Sequence, residues 1–188
     1  LEDESSLVCP TALGLAATQY YLSYRTPKQM QVGIREARKI IVNALEKEPD
    51  GLDEATSNGM NAKPFIRSRR VDEVSIAWIL FVLCSTHEFD ELPVRHNEEF
   101  LNEELSDTLM WGPDTTMLLS DNGAPHRNIE IFQDSHTKCF LLIQAYLERA
   151  RLPISDYVND TKSVIENLPR LLAAMDFIAS HEGAAAGS

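Results

Sequence analysis

The sequence predicts an all-α fold: a helical bundle with a central buried helix and a long helix at its C-terminal end. Three observations carry this. No segment alternates apolar and polar residues at a period of two, so no strand is expected. Apolar residues instead recur at helical spacing in successive segments. The stretch Asp134–Ile154, DSHTKCFLLIQAYLERARLPI, is apolar on nearly every face from Phe140 to Leu147, and such a helix must be buried on all sides.

The elements follow in order. Thr11–Leu22 reads as a first helix, with Leu13, Ala16, Ala17, Tyr20 and Tyr21 at helical spacing. A second begins at Thr26-Pro27-Lys28-Gln29 and runs to about Lys47. There Thr26 serves as cap, Pro27 takes the first helical position and Gln29 closes a capping box. Residues 48–64 hold two prolines and two glycines and read as a loop. Val71–Thr86 is a third helix, apolar over most of its surface and therefore buried. Leu92-Pro93 stops the chain and Val94–Asp107 restarts it, with Phe100, Leu101 and Leu105 in one stripe and the glutamates facing water.

Met110–Phe132 contains Gly112, Pro113, Asp121-Asn122-Gly123 and Pro125, a long loop with at most a short helix or strand. Asp134–Ala150 is the central helix, capped by Asp134 or Ser135 and broken by Leu152-Pro153. Ser155 or Asp156 opens the last helix, which runs to about Ser180. Val164, Leu168, Leu171, Leu172, Met175, Ile178 and Ala179 share one of its faces. Lys162, Glu166, Arg170, Ala173 and Phe177 share the other. Pro169 lies inside this helix and should kink it, because proline removes a backbone bond and crowds the preceding turn. The expected organisation is one domain over residues 1–188, with 48–64 and 110–132 as inserted loops.

Composition narrows the function classes. Three distant cysteines, Cys9, Cys84 and Cys139, fit neither a disulfide framework nor a CxxC metal site, and point to a reducing compartment, nucleus or cytosol. The longest apolar run, Ile76–Cys84, is too short to span a bilayer, so no membrane partner is expected. The acidic start and the small-residue tail Gly183–Ser188 suggest a piece of a longer protein. The net charge of −12 argues against nucleic acid binding over the whole surface. It is unevenly spread, however: residues 71–133 hold 13 acidic and 2 basic side chains, while Arg67, Arg69 and Arg70 form a basic run. A local basic groove is therefore compatible with the total.

No GxSxG, GxxxxGK[ST] or GxGxxG occurs, so this stretch is expected to bind no nucleotide and hydrolyse nothing. His87, Glu88, Asp90, Glu91 and His96 are metal-ligating types without the spacing of a zinc motif. They read better as a helix end with capping carboxylates and surface histidines, and Arg95-His96-Asn97-Glu98 as a helix start tied to its loop. The three arginines either meet phosphate or an acidic partner, or are a solvated run before a helix. Arg170 and Phe177 lie two turns apart. A cation beside an aromatic plane holds a phosphate and stacks a base; the alternative is a solvated arginine and a phenylalanine packed on a neighbouring helix.

Several motifs in order carry a family resemblance. The opening PTALGLAATQYYLSY is similar to PT-x-LG-x-IA-x-x-YYL. CSTHEFDELPVRHNE, at Cys84–Glu98, is similar to S-x-x-x-EFD-x-LPVRHNE. HTKCFLLIQAYLERARLP, at His136–Pro153, is similar to H-x-K-x-x-LLLQA-x-x-S-R-x-x-LP, and Asp156–Ala179 resembles the helix that follows. Together these resemble the Sec-sixty-three domain, the accessory module of Ski-two-like helicases. The wording is nearer the cointegrator-complex helicase group than the spliceosomal one.

The resemblance implies a bundle beside two RecA-like domains, closing a ring around single-stranded RNA or DNA. A "ratchet" helix would cross the channel. Asp156–Ser180 is its counterpart, with Arg170 as the strand-contacting arginine, Phe177 as the aromatic position and Lys162 as a peripheral phosphate contact. It further implies ATP and magnesium bound elsewhere in the parent, none in this stretch, and other complex subunits as partners. Ala173 and Pro169 depart from the pattern: a second arginine occupies the first position in some relatives, and proline is unusual in the ratchet helix. The second cassette of two-cassette helicases and the translocon protein also carry this module. A protein-interaction scaffold, with residues 71–133 as partner face, therefore stays open beside the helicase reading.

Overall fold

Thr11 starts the first helix, because its hydroxyl accepts the Gly14 N–H at 3.1 Å and satisfies one of the donors a helix N-terminus leaves open. A computed structural model of the chain describes residues 9–46, 65–112 and 129–185. Among these residues every regular element is helical. The α-helices are α1 (Ala12–Gln19), α2 (Thr26–Glu46), α3 (Phe65–Cys84), α4 (Glu98–Thr108), α5 (Ser135–Glu148) and α6 (Ser155–Ala185), with 3-10 turns at His87–Phe89 and Ile129–Gln133. The all-α fold expected from periodicity is the fold observed. The expected loop at 48–64, and residues 113–128 of the second loop, lie outside the described residues.

The chain reverses between α1 and α2 with Tyr21 in the left-handed region at φ 51°. The expected capping box does not form there. Thr26 is buried and donates its hydroxyl to Glu88 at 2.7 Å, and the same carboxylate accepts the Ser23 N–H at 3.0 Å. The Gln29 amide is drawn to the Ser85 carbonyl. A carboxylate brought in from 62 residues away thus replaces the local partner. It satisfies two donors with one charged acceptor, and such bonds are stronger than neutral ones.

Helix α2 packs on α3 and on α6. The close approach to α3 is at Gly33, where a Cβ would stand 2.5 Å from a Val82 methyl. Trp78 fixes the register by donating its indole N–H to the Gly33 carbonyl at 3.0 Å. Helix α3 begins at Phe65, so Arg67, Arg69 and Arg70 lie within its first turns and not before it, and their side chains lie outside the described residues. Nor is α3 buried all round. Ile76, Ile79 and Phe81 are exposed while Ala77, Leu80, Leu83 and Cys84 face the core.

Helix α5 is the centre. Lys138 to Ala145 are all buried, packed against α3, α4 and α6. Asp134 is the cap, accepting the Thr137 N–H at 2.8 Å. The burial expected as far as Leu147 stops two residues early: Tyr146 and Leu147 are 56% and 59% exposed, near the helix end at Arg149, which lies in the left-handed region at φ 55°. In α4 the expected stripe holds at Leu101 and Leu105 but not at Phe100, and Glu98 does not face water. Glu98, Asn102 and Leu105 are buried and Phe100 is exposed.

Candidate nucleic-acid interface

The 31 residues of α6 run without a break through Pro169, giving a rod of about 46 Å at the usual helical rise. Val164, Leu171, Ala174, Met175 and Ile178 are its buried apolar stripe. Leu172, expected in that stripe, is exposed. Both ends of the rod are fastened by charge.

At the N-terminal end Lys138, fully buried in α5, donates to Glu98 at 2.6 Å, to Asp160 at 2.7 Å and to the Pro93 carbonyl at 2.7 Å. Its ammonium also lies 4.6 Å from the Tyr157 ring centroid. Arg95 spans the same carboxylates from the rim, with Nη1 at 2.9 Å from Glu98 and 2.7 Å from Asp160. Glu98 reaches back to accept the Arg95 backbone N–H at 2.9 Å, the tie expected of the RHNE segment. Tyr157 donates to Asn102 at 2.6 Å, and Asn102 in turn donates to the Phe132 carbonyl at 2.9 Å.

One cation and two anions are thus enclosed, closed at the rim by a second cation, with nearly every valence used, the condition under which buried charge is tolerated. Burial pushes both carboxyls toward protonation, but the hydrogen bonds from Lys138 and Arg95 overcome it. Glu98 and Asp160 therefore sit below the ordinary carboxylate range. Burial raises the Tyr157 phenol, with the two carboxylates adding to the shift.

At the C-terminal end Glu182 pairs with Arg35 of α2 at 2.8 Å and accepts from Gln31. Arg38 donates to the Ala179 carbonyl at 3.2 Å. Between the two fastenings stand the three residues singled out from sequence.

Arg170 is half-buried. It donates Nη1 to the Tyr21 carbonyl at 3.0 Å and Nη2 to Asn167 at 2.8 Å. Both acceptors are neutral, and the guanidinium makes no ion pair among the described residues. Phe177 is not the open platform that its face suggested. Helix α1 packs along that side of α6, so Phe177 is half-buried against the edge of Tyr20 (centroids 6.0 Å apart), with the His181 ring 4.1 Å away. Lys162 is exposed and stands 4.0 Å from Glu166. Arg170 and Phe177 therefore share a side of the rod, with exposed Ala173 between them, and Lys162 is separate and nearer the first fastening.

Of the residues of metal-ligating type, His87, Glu88 and Asp90 have other work. His87 pairs with Asp90 at 2.8 Å, Asp90 reaches His136 at 3.1 Å, and His136 bonds the Cys84 carbonyl at 2.8 Å. The His87 contact holds the Asp90 carboxyl below its ordinary range. No group of three His, Cys, Asp or Glu among the described residues is arranged to hold a metal ion.

Sequence reasoning missed the Lys138–Glu98–Asp160 cluster. Its available signal was a lysine inside an otherwise apolar helix, a position that requires a buried counter-charge.

Comparison with known proteins bears on these elements directly. Residues 64–187 match the family model described as the Sec63 Brl domain. The chain is 33% identical over 189 residues to the DExH-box ATP-dependent RNA helicase DExH14 of Arabidopsis thaliana, covering 97% of this chain and 6% of that protein. It is 38% identical over 117 residues to activating signal cointegrator 1 complex subunit 3 of Homo sapiens, covering 62% of this chain and 5% of that protein. It is 37% identical over 112 residues to the RQC trigger complex helicase SLH1 of Saccharomyces cerevisiae, covering 60% and 5%. The chain thus spans about one-twentieth of the length of these relatives. Among the described residues no helix is long and apolar enough to cross a membrane.

Proposed function

The chain belongs to the Sec63 Brl domain family, and from that membership we propose that it is the accessory helical domain of an ATP-dependent RNA helicase. It guides or grips single-stranded nucleic acid and docks neighbouring subunits, with no ATPase of its own. ATP and magnesium bind to RecA-like domains elsewhere in the parent, and the domain works in the nucleus or cytosol.

The observation that carries this reading is Arg170. It stands between the two fastenings of α6 and is held only by neutral acceptors. A guanidinium so placed exchanges a neutral carbonyl for a phosphate, and a charge-assisted bond is roughly twice as strong as a neutral one. Fastened ends keep the rod from yielding when the strand is pulled, which is what positional grip requires. Phe177 offers an edge beside Tyr20 and backs the strand more than it intercalates. Lys162 adds a peripheral phosphate contact.

The test is fluorescence anisotropy of a labelled single-stranded RNA at low salt, wild type beside Arg170→Ala. Weaker and less salt-dependent binding of the variant supports the reading. Equal binding by both proteins removes Arg170 from it.

The second reading is a docking scaffold, in a silent second cassette or a translocon protein. The acid excess of residues 71–133, 13 against 2, favours it. It predicts that single-stranded RNA binds neither protein while a basic partner subunit is retained.

A further inference from the structure

The α1–α2 turn carries an arrangement that the α6 reading does not use. Tyr21 and Tyr24 are 85% and 76% exposed. Arg25 and Lys28 follow at once and are exposed, and Lys28 makes no ion pair among the described residues. Two open aromatic rings and two cations within eight residues are unusual on a chain of net charge −12.

The geometry of the turn is built and not incidental. Tyr21 holds the left-handed backbone position that glycine or asparagine adopts freely, with φ 51°. Its backbone is held by the Leu22 N–H bond to Ala17 at 2.9 Å and by Arg170 at its carbonyl. Arg25 donates Nε to the Tyr24 hydroxyl at 2.9 Å and lies 5.4 Å from the ring centroid, so cation and ring are preset beside one another. An open cleft of roughly 520 Å³ runs along Tyr24, Arg25 and Lys28 to His87. Of the nearby carboxylates, Glu88 is engaged inward on Ser23 and Thr26, while Asp90 pairs with His87 and His136 and stays half-exposed, near enough to act on Arg25.

We infer that this turn is a second strand-binding element, in which Tyr21 and Tyr24 stack bases and Arg25 and Lys28 meet the phosphates of the single strand that Arg170 holds. The inference rests on the strand-guiding reading above and extends it from the rod to its neighbour. Every base has a π face and every nucleotide a negative charge, so rings followed by cations suit a single strand of any sequence. Arg170 lies against the turn, with Nη1 3.0 Å from the Tyr21 carbonyl, so the two elements are adjacent on one surface.

The experiment is titration of a fluorescein-labelled 12-nucleotide oligouridylate with the 188-residue chain at several salt concentrations. The variants are Tyr24→Ala, the double variant Arg25→Ala/Lys28→Ala, and Arg170→Ala. All four side chains lie at the surface or half-buried, and thermal unfolding checks each fold. Loss of one stacked base weakens binding about tenfold. Loss of two phosphate contacts makes the slope of log K against log salt shallower by about 1.4, at roughly 0.7 per contact for single strands. Cross-linking of a 4-thiouridine version of the probe to Tyr21 or Tyr24 is expected.

If Arg170→Ala weakens binding while Tyr24→Ala and the double variant leave it unchanged, the turn is not a strand site and the α6 reading stands alone. The reverse pattern supports the turn and removes Arg170. Absence of binding by the wild type overturns both. An acidic peptide displacing the oligouridylate from the turn at lower concentration than free nucleotide overturns it in favour of a protein partner.

Discussion

Replacing Lys138 by methionine should be the most damaging single change at the foot of α6. The two enclosed carboxylates, Glu98 and Asp160, would keep one cation between them, Arg95, which lies at the solvent rim. One buried negative charge is left uncompensated, and the Pro93 carbonyl loses its donor at 2.7 Å. Breaking a buried pair by removing one partner costs about 3–5 kcal/mol. In a domain of this size each kcal/mol lowers Tm by roughly 2–4 °C, so a drop of about 6–20 °C is expected by circular dichroism. That is a large share of a typical stability of about 5–15 kcal/mol.

The pH dependence of that loss gives a sharper check. In the wild type both carboxyls lie below their unfolded values. Their contribution is therefore present above the ordinary carboxylate pKa and is lost as pH falls through the lower, folded value. In Lys138→Met one carboxyl should rise above its unfolded value, so its penalty is present at neutral pH and relieved by protonation. The gap in Tm between the two proteins should narrow between neutrality and pH 4. A Tm within 2 °C of wild type at neutrality, or a gap that does not change with pH, would refute the account of the network.

Four further outcomes follow from the packing. Gly33→Ala should cost about 1–3 kcal/mol by chemical denaturation, since the new Cβ meets Val82 at 2.5 Å, and Val82→Ala in the same chain should recover part of it. Glu88→Gln should cost about 1–3 kcal/mol and speed amide exchange at Ser23, whose N–H the carboxylate accepts at 3.0 Å. Arg149→Gly should stabilise by roughly 0.5–1 kcal/mol in the same assay, because φ 55° strains arginine and suits glycine. A thiol reagent should label Cys9 at once in the native protein, but Cys84 and Cys139 only on unfolding. Both are buried, and burial also pushes the Cys84 thiol up.

What the sequence revealed and what it hid divide along the range of the interaction. The helices were legible because 3.6-residue periodicity and local caps are encoded within a few residues, as at Thr11 and Asp134. Where a distant group supplies the partner, local reasoning failed. Thr26 and Gln29 spell a capping box but bond to Glu88 and Ser85. Glu98 looks like a solvent-facing glutamate but is buried by a lysine 40 positions on. The candidate contacts divide the same way. The position of Arg170 on α6 was readable from spacing. Its tie to Tyr21, and the burial of Phe177 beneath α1, depend on how α1 lies across α6, which no periodicity encodes.

The two fastenings of α6 differ in a way that bears on how a rod of this kind responds to load. The N-terminal one is enclosed, with Lys138 and Glu98 nearly fully removed from solvent, so salt screens it little. The C-terminal one is at the surface, where the Arg35 side chain is more than half exposed, and exposed pairs of this kind contribute little and weaken as salt rises. The foot of the rod is therefore held at any ionic strength, while the ion pair at its far end weakens as salt rises. Arg170 lies 10 residues beyond Asp160 and 12 before Glu182, close to midway between them. Its neighbours Leu171, Ala174 and Ile178 are buried, so the middle of the rod is held by apolar packing that salt does not weaken. Raising salt should therefore loosen the pairing of α6 with α2 while leaving the charge cluster that joins it to α4 and α5 intact.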